Sequence, residues 1–253
     1  MSAKDPSTEK ATGKTTDHAS ELQRLAEDGH VGTKPVQAAT VVLLRDGESG
    51  LETLMLRRNS KIAFGGMWVF PGGRLDPEDW EGIAPEDDLA ASRVAAEREA
   101  MEECGLVAPA NEMVPLSHWT PPPITPKRFL TWFFIARASD GEVAIDHGEI
   151  HESAWMSPAE ALRRRDAIEI ELAPPTFVSL SELTTYSTVD EALTAVASRE
   201  NERFETRIGV TEDGPVAMWR GDAGYAETDP SIAGDRHRLT MVRGGVWTYD
   251  RSR

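Results

Sequence analysis

The chain is poor in cysteine and in positive charge. It has 253 residues and one cysteine, Cys104, so no disulfide can form within it and a reducing compartment such as the cytoplasm is expected. Lys and Arg number 27 against 43 Asp and Glu, for a net charge of −16. Binding of nucleic acid through a basic patch is therefore not expected. An acidic protein can still act on a phosphate ester when a bound cation reverses the local charge.

Long apolar segments are missing as well. No uninterrupted apolar run approaches the roughly 18 residues that a membrane helix needs, and the polar N-terminus lacks the pattern of a secretory signal. We therefore expect no membrane-spanning segment. Hydrophobic residues still make up 40% of the chain, which is ordinary for a globular protein with a substantial core.

Composition divides the chain into three parts. Residues 1–36 are polar and predict a largely disordered tail, in which residues 21–29 could form a short helix ending at Gly29. Residues 37–200 mix strand and helix patterns and predict one α/β or α+β domain. Residues 201–253 contain short strand patterns around a Gly-Gly turn, which predict a β-rich C-terminal extension. That extension could support a homodimer or cap a site.

The segment 128–138 is apolar on both of its alternating faces. Phe129, Phe133 and Ile135 share one face, while Leu130, Trp132 and Phe134 share the other. A strand that is apolar on both faces is covered on both sides, so this segment predicts a sheet between two layers of helices.

A helix is predicted over about 87–104, where there is no Pro or Gly and Gly105 follows as the C-terminal cap. At about 100° per residue, three glutamates share one stripe of the helix surface: Glu99, Glu102 and Glu103. The predicted core face of the helix carries these side chains: Leu89, Val94, Ala96, Ala100, Met101 and Cys104. Glu97 falls on that face too, so it needs a partner or an edge position.

The acidic stripe has two interpretations. It could be an ordinary solvated helix face, which is the commoner case. However, crowded carboxylates near a helix C-terminus oppose the helix dipole. Carboxylate oxygens are also the ligands that a hard divalent cation such as Mg²⁺ prefers. Both points favour a cation site.

The segment Pro71-Gly72-Gly73 together with Arg98–Leu106 resembles the box of the Nudix hydrolase superfamily. The resemblance implies an α/β/α sandwich around a mixed sheet and hydrolysis of a nucleoside-diphosphate-linked compound. It implies that Glu102 and Glu103 hold Mg²⁺ or Mn²⁺, with a carbonyl of Gly72 or Gly73 as a further ligand. Glu99 is then another ligand or the base that activates water. Arg98 orients the carboxylates.

The spacing within the box departs from the family pattern. Arg98 follows Gly73 by 25 positions instead of the usual fourteen, so the box carries an insertion of eleven residues. Counting back from Arg98 places the first glutamate of the family at Ala90, which has no carboxylate. Three acids just before it could substitute: Glu86, Asp87 and Asp88.

Further site residues are predicted outside the box. The family often carries an extra acid before a Trp-X-Ser strand end, and Glu149, ahead of Trp155, is our prediction for a further metal ligand or base, with Glu152 as the second choice. Arg128 could contact a substrate phosphate. Three aromatic residues could stack on an adenine, although core packing is commoner: Trp119, Phe129 and Trp132. His147 and His151 are expected to be solvated.

The wider segment 37–185 resembles the branch that contains the mammalian peroxisomal coenzyme A diphosphatase. That resemblance favours coenzyme A or acyl-CoA as the substrate, cleaved to 3′,5′-ADP and a phosphopantetheine product, although the coenzyme A signature matches only in its final part, Gly66 followed by Phe70–Gly73. Two alternatives stay open. One is a diphosphatase for ADP-ribose, NADH or an oxidised nucleotide. The other is a non-catalytic regulator that senses a nucleotide.

Overall fold

A computed structural model describes residues 18–59 and 65–252. In this part of the chain the helices are α1 His18–Glu27, α2 Asp88–Cys104, α3 Pro158–Asp166, α4 Pro174–Leu183 and α5 Val189–Ala197. The first strands are β1 Val36–Gly47, β2 Gly50–Arg58, β3 Trp68–Val69, β4 Gly72–Arg74, β5 Val114–Thr120, β6 Phe129–Arg137 and β7 Ile150–Met156. The last are β8 Glu202–Glu205, β9 Arg207–Val210, β10 Pro215–Met218, β11 His237–Met241 and β12 Trp247–Arg251.

The larger sheet has eight strands and is mixed. Its order is β3-β2-β1-β6-β5-β8, while β4 pairs with β1 and β7 pairs with β2. β1 runs parallel to β6 and antiparallel to β2 and β4. Helix α2 packs on one face, and α4 and α5 contribute to the core on the other. The predicted α/β/α sandwich around a mixed sheet is confirmed.

Strand β6 shows why both faces of this sheet are buried. Phe133 and Ile135 pack into the cluster that includes residues of α4 and α5. Trp132 and Phe134 pack into the opposite cluster, beneath α2. The apolar alternation of segment 128–138 therefore predicted correctly a strand that is covered on both sides.

Helix α2 begins and ends as its sequence predicts. The Asp87 side chain accepts a hydrogen bond from the Ala90 N–H, and Gly105 closes the helix in the left-handed region with φ 71°. The predicted core face was partly wrong, because Val94 and Met101 are 37% and 47% exposed. The buried face is centred on small residues that let the helix approach the sheet closely: Ala91, Ser92, Ala95, Ala96 and Ala100.

The N-terminal segment is folded from residue 18 onward, and residues 1–17 lie outside the described residues. The short helix predicted over 21–29 is α1, which starts three positions earlier and ends before Gly29. Its buried side chains are Ala19, Leu22 and Leu25. They face β9 and β10, which lie about 180 residues further along the chain.

The C-terminal extension is β-rich, as predicted, but it is divided between two sheets. Strand β8 joins the large sheet in parallel with β5, where Ser117 pairs with Glu202. Strands β9 to β12 form a separate four-stranded antiparallel sheet. Phe204 of β8 stacks flat on Trp119 with 3.9 Å between ring centroids, and both rings are buried. No helix in the described ranges is both long and apolar enough to cross a bilayer.

Candidate active site

The glycine loop and helix α2 meet in a very close contact. Gly72 and Gly73 pair with Thr40 and Ala39 of β1, and the Gly72 N–H donates to Glu103 Oε2 at 2.9 Å. A Cβ on Gly73 would stand 2.3 Å from Glu99 Oε1. A side chain at this position would therefore displace the Glu99 carboxylate from the loop.

Arg98 ties the acids of the helix to the glycine loop. Its Nη1 lies 3.0 Å from Glu99 Oε1 and 3.2 Å from Glu102 Oε2. Its Nη2 donates to the Arg74 carbonyl at 3.0 Å. On its other edge, Nε and Nη2 bind the two oxygens of Asp79 at 3.0 and 2.9 Å, which is a bidentate ion pair. The predicted role of Arg98 in orienting carboxylates is consistent with this geometry.

Asp79 is the acid that sequence reasoning missed. It lies in the short 3₁₀ turn Pro77–Trp80, and it is only 2% exposed. It follows Gly73 by six positions, which is the interval that the family pattern leaves between the second glycine and its first glutamate. Counting forward from the glycine would have found it, whereas counting back from Arg98 crossed the insertion and reached Ala90.

The three acids suggested as substitutes near Ala90 lie elsewhere. Asp87 caps helix α2, and Asp88 Oδ2 accepts a hydrogen bond from Trp132 Nε1 at 3.2 Å on the covered face of the sheet. Glu86 is exposed. None of them borders the cavity beside the box. Glu97, the glutamate expected to need a partner, accepts a hydrogen bond from the Ala110 N–H at 3.1 Å.

Arg58 links Glu149 to the box. Arg58 Nη2 lies 2.6 Å from Glu149 Oε2, and Arg58 Nη1 lies 3.6 Å from Glu103 Oε1. The second choice, Glu152, pairs instead with the exposed Arg57 at 3.3 Å and does not border the cavity. The sequence analysis missed Arg58, since nothing in the chain marks the end of β2 as adjacent to residue 149.

The electrostatics of the site reflect crowded, partly buried carboxylates. The pKa of Glu103 is raised to about 7, mainly because the carboxyl is buried; the Gly72 N–H and Arg58 oppose this effect, and the charges of Glu99 and Glu149 add to it. Burial also raises the pKa of Glu99, where Arg98 opposes the effect and Glu102 adds to it. The arginines thus compensate the acids only in part, and a cation at this edge would relieve the remaining repulsion.

The donor chemistry fits a hard divalent cation. Glu99, Glu102 and Glu149 border one cavity, and Glu103 touches Gly72 at its wall. In the described part of the chain no three acidic, histidine or cysteine side chains converge closely enough to hold an ion as they stand, and Arg58 and Arg98 contact the oxygens of Glu103 and Glu99. The set supplies oxygen ligands of the kind that Mg²⁺ and Mn²⁺ take. His147 and His151 are exposed and do not border the cavity.

The cavity has a volume of about 800 Å³ and two unlike walls. The box supplies the acidic wall. The opposite wall comes from the loop before β6, from α1 and from the C-terminal strands, with these side chains: Leu22, Pro121, Lys127, Arg128, Phe129, Pro174 and Ile208. Phe129 and Trp119 both border the cavity, and Trp119 is stacked on Phe204, whereas Trp132 packs beneath α2.

Comparison with known proteins agrees with this geometry. The NUDIX domain family matches residues 34–174. The chain is 28% identical over 220 residues to the acyl-coenzyme A diphosphatase NUDT19 of Gallus gallus, covering 77% of this chain and 57% of that one. It is 32% identical over 131 residues to NUDT19 of Xenopus laevis, covering 49% and 34%. The matched segments thus span 57% and 34% of the length of these two curated relatives.

Among solved structures, the NUDIX hydrolase from Alicyclobacillus acidocaldarius superposes with a TM-score of 0.59 at 24% identity. The superposition covers 66% of this chain and 99% of that one. At this identity the similarity supports the fold alone. Two of the elements that supply the second wall of the cavity, α1 and β9, lie outside the residues matched by the family.

Proposed function

The chain belongs to the NUDIX family of hydrolases that act on pyrophosphate bonds, and on that premise we propose that it is a metal-dependent diphosphatase for a nucleoside-diphosphate-linked substrate. One observation carries the proposal: Glu99 and Glu103 are packed against the Gly72–Gly73 loop, with Arg98 held by a buried aspartate. This arrangement concentrates carboxylate oxygens at one wall of a cavity large enough for a nucleotide.

Each residue has a distinct task in the proposed reaction. Glu102, Glu103, Glu99 and Glu149 would hold Mg²⁺ or Mn²⁺, together with a carbonyl of Gly72 or Gly73. When bound, such ions neutralise charge on the diphosphate and lower the pKa of water. Glu99 or Glu149 accepts the proton as water attacks phosphorus. Arg98 keeps the carboxylates of Glu99 and Glu102 in position, and Arg128 contacts a phosphate of the substrate.

Coenzyme A or acyl-CoA is the favoured substrate, with 3′,5′-ADP and a phosphopantetheine product. The names of the two NUDT19 relatives support this choice, at 28% and 32% identity. ADP-ribose, NADH and oxidised nucleotides are the alternative substrates, and a nucleotide-sensing regulator is the alternative of another class. A cytoplasmic location and a homodimer also stay predictions.

The test is a substrate panel with Mg²⁺ or Mn²⁺, run on the wild type and on Glu103→Gln. We expect wild-type cleavage of CoA compounds and a loss of about 1000-fold in kcat for the variant, which corresponds to several kcal/mol of transition-state stabilisation. Glu112→Gln, an exposed change outside the cavity, is the matched control. Cleavage of ADP-ribose but not of CoA would overturn the substrate choice. Nucleotide binding without any cleavage would favour the sensor.

A further inference from the structure

The non-acidic wall of the cavity presents two cations without acidic partners. Within residues 18–59 and 65–252, no carboxylate lies within 4.0 Å of Lys127 or Arg128. The arginines at the acidic wall behave differently, since Arg58 and Arg98 each pair with at least two carboxylates. In a chain with 43 acidic and 27 basic residues, adjacent cations left unpaired in a cavity indicate a site for an anion that arrives with the ligand.

Arg128 is held in place before any ligand binds. Its Nη2 donates to the Pro121 carbonyl at 3.2 Å, while its Nε is buried and lacks a partner in the described structure. Gly32 packs beside it so closely that a Cβ there would lie 3.1 Å from Arg128 Cδ. The Gly32 N–H also donates to the Pro123 carbonyl at 2.7 Å, which fixes the proline-rich loop. The side chain is therefore preorganised, which reduces the entropy lost when a ligand binds.

The register of the sheet sets the distance between the two walls. Gly73 pairs with Ala39 and Phe129 pairs with Val36, so the two pairs are three positions apart along β1. At ~3.3 Å per residue this separation is about 10 Å along the strand, and because β4 and β6 lie on opposite edges of β1 the two positions are also about 10 Å apart across the sheet. A nucleotide with its diphosphate at Gly73 can thus bring a second phosphate, carried on its ribose, toward Arg128.

We propose that Lys127 and Arg128 form a subsite for a phosphomonoester on the ribose of the substrate, at its 3′ oxygen. This subsite would make the enzyme prefer nucleotides that carry a 3′-phosphate, such as coenzyme A, over nucleotides that end in a free 3′-hydroxyl. The inference deepens the proposed function and rests on it, because the subsite is placed relative to a diphosphate bound at the box.

The experiment compares kcat/KM for coenzyme A and for 3′-dephospho-coenzyme A. The wild type should prefer coenzyme A. Arg128→Gln should lose about 10- to 100-fold on coenzyme A, the effect of one charge-assisted hydrogen bond, and change less than about threefold on the dephospho compound. Lys127→Ala is an exposed change that leaves the fold intact. It should lower the ratio of kcat/KM for coenzyme A to kcat/KM for the dephospho compound, but by a smaller factor than Arg128→Gln does.

Two controls separate the subsite from other effects. Lys34→Ala removes a nearby exposed positive charge that does not border the cavity. The ratio of kcat/KM for coenzyme A to kcat/KM for the dephospho compound should therefore be the same in this variant as in the wild type. Arg74→Ala removes a cation beside Gly73, so kcat/KM should change by the same factor for both substrates. The proposed subsite would be contradicted if the wild type had equal kcat/KM for the two substrates. It would also be contradicted if Arg128→Gln lowered kcat/KM by the same factor for both. Absence of cleavage of either substrate would instead count against the proposed function.

Discussion

Two arginine–aspartate pairs in this protein share a bidentate geometry but lie in different surroundings. In the C-terminal sheet, Arg238 Nε and Nη2 both lie 2.6 Å from the oxygens of Asp222, and the two side chains are 8% and 0% exposed. At the box, Arg98 binds Asp79 at 3.0 and 2.9 Å, but the Arg98 side chain is 25% exposed and faces the cavity.

The difference lies in what else each arginine binds. Arg238 has one further acceptor, the Pro230 carbonyl at 2.8 Å, so Asp222 is the only carboxylate that neutralises it in the described structure. Arg98 also contacts Glu99 and Glu102. The same pairing is therefore isolated from other carboxylates in one region, whereas in the other its arginine also contacts two glutamates that border the cavity. Four predictions test this contrast.

The largest expected effect is on the stability of the C-terminal sheet. Asp222→Asn leaves Arg238 as a buried charge without a counter-ion, so the free energy of unfolding should fall by about 3 kcal/mol. Denaturant titration measures this change. Since Asp222 does not border the cavity, kcat/KM of the folded variant should equal that of the wild type. A specific loss of activity at full folding would contradict the structural role of this pair.

The second prediction concerns the pair at the box. Asp79→Asn should lower kcat by about 10- to 100-fold, because Arg98 loses the partner that fixes its orientation toward Glu99 and Glu102. The free energy of unfolding should fall by less than in Asp222→Asn, since Arg98 retains three other carboxylates, of Asp76, Glu99 and Glu102. Asp222→Asn serves as the matched control. Normal kinetics in Asp79→Asn would mean that the acids keep their positions without it.

A third prediction uses pH to separate the pairs. Burial alone would raise the pKa of Asp222, but hydrogen bonds from Arg238, the His237 N–H and the Gly224 N–H lower it from 3.8 to about 2. A carboxyl whose pKa is lowered in the folded state contributes stability above its unfolded pKa and loses it as the pH falls. The stability difference between wild type and Asp222→Asn should thus shrink by up to about 2 kcal/mol from pH 5 to pH 2. A stability difference between the two proteins that stayed constant from pH 5 to pH 2 would show that the charge of Asp222 does not cause it.

The smallest effect is expected at the exposed contact of Arg98. Glu102 is 59% exposed and lies 3.2 Å from Arg98 Nη1, so Glu102→Gln should change the free energy of unfolding by less than about 0.5 kcal/mol. Thermal unfolding monitored by circular dichroism measures it. A larger loss would mean that the four acids around Arg98 contribute about equally to its stabilisation and that Asp79 does not dominate.

Part of the site was predictable because its pattern is local. The stripe of Glu99, Glu102 and Glu103 follows from helix geometry, and the capping glycine at 105 follows from the end of the apolar pattern. The structure brings these three glutamates, Arg98 and the glycine loop together, and it brings Glu149 to the same cavity. Their roles as ligands or bases stay predictions.

The orientation of helix α2 was not predictable from periodicity. Its buried face is centred on alanines that pack closely on the sheet, whereas the larger Val94 and Met101 are exposed. Asp79 was missed because a count along the chain crossed an insertion. Arg58 was missed because its contact with Glu149 joins segments that are 91 residues apart.

The amino-acid sequence by itself determined the acidic helix, the glycine loop and the strand that is buried on both faces, since each depends on spacing within a few residues. Only the tertiary structure decided which acid holds Arg98, which side of α2 is buried and what forms the far wall of the cavity. Those contacts join α1, the loop before β6 and the C-terminal strands, which are distant in the chain. Which of these segments pack together depends on the apolar surface that the whole fold buries. No short segment of the sequence determines that area.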